Sequence, residues 1–455
     1  MQKHIHILGI CGTFMGGIAL MARQLGFKVT GSDHHIYPPM SETLAAHHIE
    51  IMPGYDKTHL DSRPDLVLLG NVCQRGMTAV EAVLDDEIPF SSGPAWLAEQ
   101  VLRKRHVLAV AGTHGKTTTT SMLTWILTYA GLKPGYLIGG VAHNFKHTAD
   151  VGDSDYFVIE ADEYDTAFFD KRPKFLHYFP KTLILNNLEF DHADIYPDIA
   201  AIEQQFHFLI RTVAHKGRIL YPQGDFHLNK VLQRGSWCDV KIFTGPESDW
   251  HLKRHEKDGS AFDVFYKNKS CGRVRWPLWG EHNMDNALAA LAAAEHVGVA
   301  PAMAVAALCE FKGVKRRLEI SAEINDITVY DDFAHHPTAI EKTLQALRAR
   351  VAQKPIIAVL QFGSNTMRCG GHTEEHMAAA LREANYIILL DAELQNAYLK
   401  TLCQQITSPT RVFKNVDAIV AHLKETLKPQ DQVVVMSNKG FDGLQKKLQQ
   451  ALEAQ

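Results

Sequence analysis

The 455-residue sequence has no surplus of either charge, since 47 Lys and Arg stand against 51 Asp and Glu for a formal net charge of −4. It therefore offers no basic field for nucleic acid or an anionic membrane, and the balance favours work on small molecules. Cysteine is sparse. The seven that occur (Cys11, Cys73, Cys238, Cys271, Cys309, Cys369, Cys403) are odd in number, scattered and never at C-x-x-C spacing. That argues against a disulfide framework and structural zinc, and for a reducing cytoplasm. A signal-peptide layout is missing too, because Ile5, Ile7 and Leu8 begin a strand at once. The uncharged stretch 117–132 is threonine-rich, so no membrane insertion is expected. Internal repeats and low-complexity linkers are lacking, and a chain of this length is expected to form about three domains.

What the chain does contain is strand-helix alternation, begun three times, which implies parallel sheets. The first unit reads through 4–9, 16–25, 28–32, 66–70 and 78–84. The second starts at His106 and passes through 156–160 and 182–187, each run ending in polar residues. Ligands of doubly wound sheets sit at the carboxyl ends of strands, so chemistry is expected there. From about 217 to 279, short strand-like pieces with Gly, Asp and Trp read as an antiparallel excursion, followed by an alanine-rich helix over 286–297. The third unit starts near Gly313, with a strand over 328–330, a helix over 338–351, and strands over 356–360, 386–390 and 432–436.

The most informative segment is Gly112-Thr113-His114-Gly115-Lys116-Thr117-Thr118, which follows the apolar run 106–111 and opens a helix. Glycines there let backbone N–H groups converge on phosphate oxygens, Lys116 supplies a point charge, and the Thr117 hydroxyl suits Mg2+. The usual G-x-x-x-x-G-K-[ST] pattern needs glycine where Val110 stands, so this is the shorter form G-T-x-G-K-T. A nucleoside triphosphate is the expected partner, against the lesser reading of a plain glycine-rich turn.

Other strand ends carry oxygen and nitrogen donors. Glu160, Asp162, Glu163 and Asp165 follow one strand and suit a hard cation, although an exposed acidic turn would look the same. The next strand ends in Asn186-Asn187-Leu188-Glu189-Phe190-Asp191-His192, where His192 is a metal ligand or an ordinary histidine. The loop Gly9 to Gly17, with Asp33 beyond the second strand, approaches a dinucleotide fingerprint, but Cys11 and Phe14 break G-x-G-x-x-G. Gly280 to Asn286 opens a helix for which capping by Asn283 suffices. Arg316 or Arg317 could reach a transferring phosphate, and Pro337 fits the first turn of the helix after His335-His336.

Taken together, GICGTFMGG over 9–17, the G-T-x-G-K-T-T loop, EADEYDTAFFDKR over 160–172, LNNLEFDHAD over 185–194 and SNTM over 364–367 resemble the Mur ligase family. These are ATP-dependent amide-forming enzymes of peptidoglycan assembly, and the resemblance covers nearly the whole chain. It implies an α/β protein of three domains. Residues 1–104 would form a Rossmann-like domain holding UDP through Gly12, Thr13, Phe14, Met15, Gly16, Gly17 and Asp33. Residues 105–313 would form a central P-loop ATPase domain, and 314–455 a Rossmann-like domain that closes and delivers the amine. ATP would be held by Gly112 through Thr118, with Lys116 on the β- and γ-phosphates. His282, Asn283 and Asn286, in the family string G-x-H-N-x-x-N, would add nucleotide contacts that displace the simple-cap reading. Arg317 and Asp332 would complete the ATP site. Thr117, Glu160 and His192 would ligate Mg2+, with two ions expected.

The resemblance also implies that His335 and His336 line the closed cleft, His335 being the candidate for the amine's proton. Ser364, Asn365, Thr366 and Arg368 would meet the incoming peptide. Within the family, EYDTAF and SNTM are similar to members that join UDP-N-acetylmuramate to L-alanyl-γ-D-glutamyl-meso-diaminopimelate. The sister that adds free L-alanine typically reads ESDASF. Outside the family, a nicotinamide-dependent oxidoreductase would leave Lys116 and Thr117 unexplained, and a switch NTPase would hydrolyse ATP indifferently to any amine. Two departures stand out. No lysine occurs between Asp191 and His215 where relatives carry a carbamoylated one, so Glu203 is either its stand-in or an ordinary helix residue. Phe362-Gly363 replaces a proline-arginine pair before SNTM, leaving Arg368 as the nearest arginine.

Overall fold

The computed structural model describes residues 2–363, 365–368, 371–391 and 397–454. Three parallel-rich sheets follow one another along the chain. The first has strand order Glu50–Pro53, Lys28–Asp33, His4–Leu8, Leu66–Leu69, Phe90–Ser92, all parallel. Its central strand is buried throughout, because helices cover both faces of such a sheet. The helix after it spans Thr13–Gln24, opening earlier than its apolar run suggests, since Gly12 is still extended and ends the loop.

The second sheet has seven strands in the order Asp239–Thr244, Arg218–Pro222, Thr182–Leu185, His106–Ala111, Tyr156–Glu160, Gly135–Leu137, Ala149–Asp150. Only the last pair is antiparallel. The antiparallel reading of 217–279 is therefore corrected for its first half, where two strands extend the parallel sheet. The outer one, Asp239–Thr244, alternates exposed and partly buried residues because it lies at an edge, and that alternation mimics an antiparallel strand. The second half does form an antiparallel sheet of Trp250–Arg254, Ala261–Tyr266 and Lys269–Arg275.

The helix after the phosphate loop, Lys116–Tyr129, is polar by composition yet almost wholly buried. Its hydroxyls satisfy themselves: Thr120, Ser121, Thr124 and Thr128 donate to the carbonyls of Lys116, Thr117, Thr120 and Thr124 at 2.8, 2.7, 2.7 and 2.8 Å. It packs on the helix Glu281–His296, whose buried alanines from Ala287 to Ala294 permit close approach. The third sheet runs Glu319–Ile324, Ile327–Asp332, Gln432–Met436, Ile356–Gln361, Tyr386–Leu390, Thr410–Phe413, antiparallel only in its first pair. No described helix is long and apolar enough to cross a membrane.

Candidate active site

The phosphate loop needs its glycines. Gly112 has φ 140° and Gly115 φ 78°. A Cβ on Gly112 would lie 3.0 Å from Asn186 Cβ, and one on Gly115 would lie 2.5 Å from Asn286 Oδ1. The loop is clamped by the next strand end. Thr113 N–H donates to Asn187 O at 3.2 Å and His114 N–H to Asn187 Oδ1 at 2.8 Å, while Asn187 Nδ2 donates to His114 O at 3.1 Å. Thr113 Oγ1 donates to Glu189 O at 3.2 Å. Behind the loop, Asn186 Nδ2 donates to Thr119 Oγ1 at 2.9 Å, and Thr119 donates to Asn286 Oδ1 at 3.1 Å. Asn286 thus braces the loop from inside, and Thr118 is buried in the helix that follows.

Lys116 Nζ lies 2.8 Å from Gly112 O, 2.9 Å from Glu163 Oε2 and 3.8 Å from Asp162 Oδ1. Burial opposes its charge, but Glu163 and then Asp162 outweigh burial and hold the ammonium above its usual pKa. Glu163 is itself buried, yet Lys116 and His192 bring it down to about 2. His192 Nε2 sits 2.9 Å from Glu163 Oε1. Burial works against a charged His192, and the hydrogen bond to Glu163 raises its pKa nonetheless. Glu160 accepts from the Thr117 hydroxyl at 2.8 Å and from Gly139 N–H at 2.7 Å. Burial, then the charge of Asp162, pushes Glu160 up to about 7. Thr117 and Glu160 form a buried all-oxygen pair, a donor set that fits a hard divalent cation, whose charge would offset the burial and the Asp162 charge that raise Glu160.

The C-terminal domain reaches this place. Arg317 Nη2 donates to Thr117 Oγ1 at 3.4 Å, and Thr366 Oγ1 donates to Asp191 Oδ1 at 2.8 Å while accepting from Ala193 N–H at 3.1 Å. His335 Nε2 is 3.8 Å from Asp191 Oδ2, and its Nδ1 donates to Phe333 O at 3.0 Å. Burial lowers its pKa to about 4, which leaves it neutral, with the Nε2 lone pair available. Asp332 turns to its own domain, accepting from Ala334 N–H and Leu318 N–H at 2.7 Å each. Ser364 lies outside the described residues, as do the side chains of Asn365 and Arg368.

Two clefts flank the carboxylates. One of about 600 Å³ lies between the three-stranded sheet and the start of the helix Glu281–His296, and Trp276, Trp279, Asn283 and Arg317 line it. Asn283 is not the helix cap. Gly280 is, and Asn283 Nδ2 instead reaches back to Trp279 O at 2.7 Å. His282 is absent from that lining, and burial lowers its pKa to about 3. The other cleft, about 260 Å³, is lined by Gly12, Thr13, Phe14, Met15 and Asp33 from the first glycine loop and the second strand. Asp33 steadies that loop by accepting from Cys11 N–H at 2.9 Å. Gly16 and Gly17 do not line this cleft. They lie in the helix Thr13–Gln24, where a Cβ would meet Met40 Sδ at 2.3 Å and Leu137 Cδ1 at 2.4 Å, so they are glycine for packing.

Glu203 likewise sits elsewhere. Its fully buried carboxylate is bound by Lys230 at 2.8 Å, His227 at 2.9 Å and Arg234 at 2.6 Å, which makes it the pin between the helices Ile199–Arg211 and Phe226–Gln233. Sequence reasoning left out Glu163 as the partner of Lys116, and Lys174. Lys174 is buried, faces the smaller cleft, and holds Nζ 4.9 Å from the Phe14 ring centre and 5.4 Å from that of Tyr164. Glu163 stood in the acidic string already singled out; nothing in the string distinguished it from its neighbours.

Three family models match in chain order: the Mur ligase family catalytic domain over 4–105, the Mur ligase middle domain over 110–294, and the Mur ligase glutamate ligase domain over 316–439. The chain is 52% identical to the UDP-N-acetylmuramate–L-alanyl-γ-D-glutamyl-meso-2,6-diaminoheptandioate ligase of Escherichia coli K12, covering 98% of this chain and 97% of that one. It is 35% identical to the UDP-N-acetylmuramate–L-alanine ligase of Roseiflexus castenholzii, covering 79% and 77%. The crystal structure of a murein peptide ligase from Psychrobacter arcticus is similar at 43% identity and a TM-score of 0.77, covering 99% and 98%.

Proposed function

The chain belongs to the Mur ligase family, and from that premise we propose that it joins UDP-N-acetylmuramate to L-alanyl-γ-D-glutamyl-meso-diaminopimelate through an acyl phosphate. Enzymes of this family are ATP-dependent amide-forming ligases. The observation that carries the reading is the meeting, at one point, of Lys116 and Thr117 with the carboxylates of Glu160 and Glu163 and with Arg317 from the following domain. The choice of tripeptide over free L-alanine is supported by the higher identity to the relative named for it, 52% against 35%.

We assign UDP binding to 1–104, ATP binding to 105–313 and closure to 314–455. A carboxylate is a poor acyl donor and must first accept the γ-phosphoryl group of ATP. The phosphate loop would bind ATP through its amides, with Lys116 exchanging Glu163 for phosphate oxygens. The larger cleft beside Trp279 and Asn283 would take the base, and Arg317 would meet the transferring group across the domain boundary. Thr117 with Glu160 would hold one Mg2+ and His192 a second. Such ions neutralise charge that develops on the transferring phosphoryl group.

The smaller cleft would take the UDP-sugar through the Gly12 loop, its muramyl carboxylate directed past Lys174 toward Lys116. The peptide's L-alanyl amine must arrive deprotonated, and neutral His335 would take its proton through Nε2. Nitrogen then attacks the acyl carbon, the tetrahedral oxyanion collapses, and phosphate leaves. The contacts of Thr366 and Arg317 across the domain boundary are what would keep water from the acyl phosphate.

The test is phosphate release from MgATP with UDP-N-acetylmuramate, comparing the tripeptide with free L-alanine and identifying the product by mass. Turnover with the tripeptide alone is expected. Preference for L-alanine would move the chain to the sister activity, and amine-independent hydrolysis would remove ligase chemistry altogether.

A further inference from the structure

At the phosphate loop, three side chains that take no chemical step in the proposed reaction converge from three separate stretches of chain, His114 from the loop itself. One donor atom from each of His114, Glu189 and His336 lies within 4.8 Å of the others. Glu189 Oε2 is 3.4 Å from His114 Nε2 and 3.6 Å from His336 Nδ1. A tetrahedral zinc ion with bonds of about 2.0–2.1 Å places neighbouring ligand atoms roughly 3.3–3.4 Å apart, so these two edges already stand close to the required length. We propose that His114, Glu189 and His336 form a binding site for a divalent transition metal of the zinc class, separate from the Thr117 and Glu160 pair.

The surroundings prepare the donors. His336 Nε2–H donates to Phe190 O at 3.2 Å, which fixes the tautomer and leaves Nδ1 as the acceptor nitrogen. Thr338 Oγ1 donates to Glu189 Oε2 at 2.6 Å and orients the carboxylate. Hydrogen bonds of this kind, from a ligating histidine to a backbone carbonyl and from a hydroxyl to a ligating carboxylate, are the usual supports of a metal site. Burial holds His336 neutral, and Glu189 is ionised despite burial because His114 and Thr338 bond it. Metal at this site displaces two contacts, the 3.2 Å bond from Thr338 N–H to His336 Nδ1 and the 3.4 Å bond between His114 Nε2 and Glu189 Oε2.

His372 supplies an independent sign. Its ring centre is 4.3 Å from that of His336, and its buried Nε2 has no hydrogen-bond partner among the described residues. A two-histidine, one-carboxylate set suits zinc and disfavours Mg2+, which prefers oxygen ligands. The cysteine-based argument against structural zinc does not reach this site, because its ligands are scattered and include no cysteine. The site also spans a domain boundary: His114 and Glu189 belong to the central sheet's loops and His336 to the last domain. Bound metal therefore fastens the two domains in the arrangement described.

The experiment is calorimetric titration of the chelator-stripped full chain with ZnCl2 in excess Mg2+, paralleled by cobalt(II) titration read through the visible absorption of tetrahedral cobalt. One saturable site per chain is expected. Glu189→Gln and His336→Asn, the latter keeping a helix-capping acceptor, should each weaken zinc binding by roughly 10- to 100-fold or more. His255→Ala, at an exposed pair with Asp263, should bind zinc as the unmodified chain does. Circular dichroism confirms that each variant is folded, and Glu189→Gln decides alone if His336→Asn is not. Absence of a saturable site, or binding unchanged in Glu189→Gln, overturns the proposal. Neither result bears on the ligase assay.

Discussion

Replacing Glu203 by alanine separates a structural carboxylate from a catalytic one. Its side chain is fully buried and receives Lys230, His227 and Arg234 within 2.9 Å, whereas those three partners are 48%, 32% and 30% exposed. Three hydrogen bonds to a charged group amount to about 1.5–3 kcal/mol each when their partners stay dry. Here the cations regain water once the carboxylate is gone, and the Lys230 bond in particular is discounted for solvent screening. About 2–3 kcal/mol of the sum survives. For a domain of this size 1 kcal/mol moves the melting temperature by about 2–4 °C, so Glu203→Ala should melt about 4–12 °C lower. Nothing in its surroundings touches Lys116 or His192, so kcat measured well below the transition should stay within about twofold. Scanning calorimetry and phosphate release on the same preparation read both quantities. A kcat lowered on the order of 100-fold with melting unmoved would refute the argument and restore Glu203 as the stand-in for a carbamoylated lysine.

Lys174→Met should raise KM for UDP-N-acetylmuramate roughly tenfold or more while leaving KM for ATP alone, since the charge sits among Phe14, Tyr164 and the smaller cleft; an equal change in both constants would count against that placement. His335→Ala should lower kcat by about 10²–10⁴ with little change in KM, and unchanged turnover would remove the proton-acceptor role. Burial, then the neighbouring charge of His4, lowers His6 to about 3, so the unfolded chain takes the proton first as pH falls. The stability that neutral His6 contributes is therefore complete above about pH 6.5 and lost toward pH 3, at up to about 1.4 kcal/mol per pH unit. Urea unfolding of His6→Gln should show a shallower loss between pH 7 and pH 5, and parallel slopes would contradict the assignment.

The parts of the site that were legible in the sequence are those whose chemistry is local. Gly112, Gly115, Lys116 and Thr117 act within one turn, so their spacing carries their geometry. The three rounds of strand-helix alternation were legible for the same reason, because buried parallel strands and the helices between them differ in period. Illegible residues depend on partners far along the chain. Glu163 is distinguished from Asp162 only by which carboxylate meets Lys116. Lys174 is one of several lysines until Phe14 closes over it. The strand Asp239–Thr244 looked antiparallel because an edge exposes alternate residues. Gly16 and Gly17 read as UDP-holding glycines of the first loop, yet the space they leave is taken by Met40 and Leu137, on separate elements.

The helix Lys116–Tyr129 bears on how such chains tolerate change. Four of its hydroxyls are occupied by their own backbone, so to everything around it that stretch is hydrocarbon. Thr120 and Thr124 exchanged for valine would lose a bond internal to the helix and no hydrogen bond to another element. Thr117 and Thr119 differ from those four, each turned outward to another element. The helix is in effect two surfaces written in one letter, of which one is replaceable and the other is not.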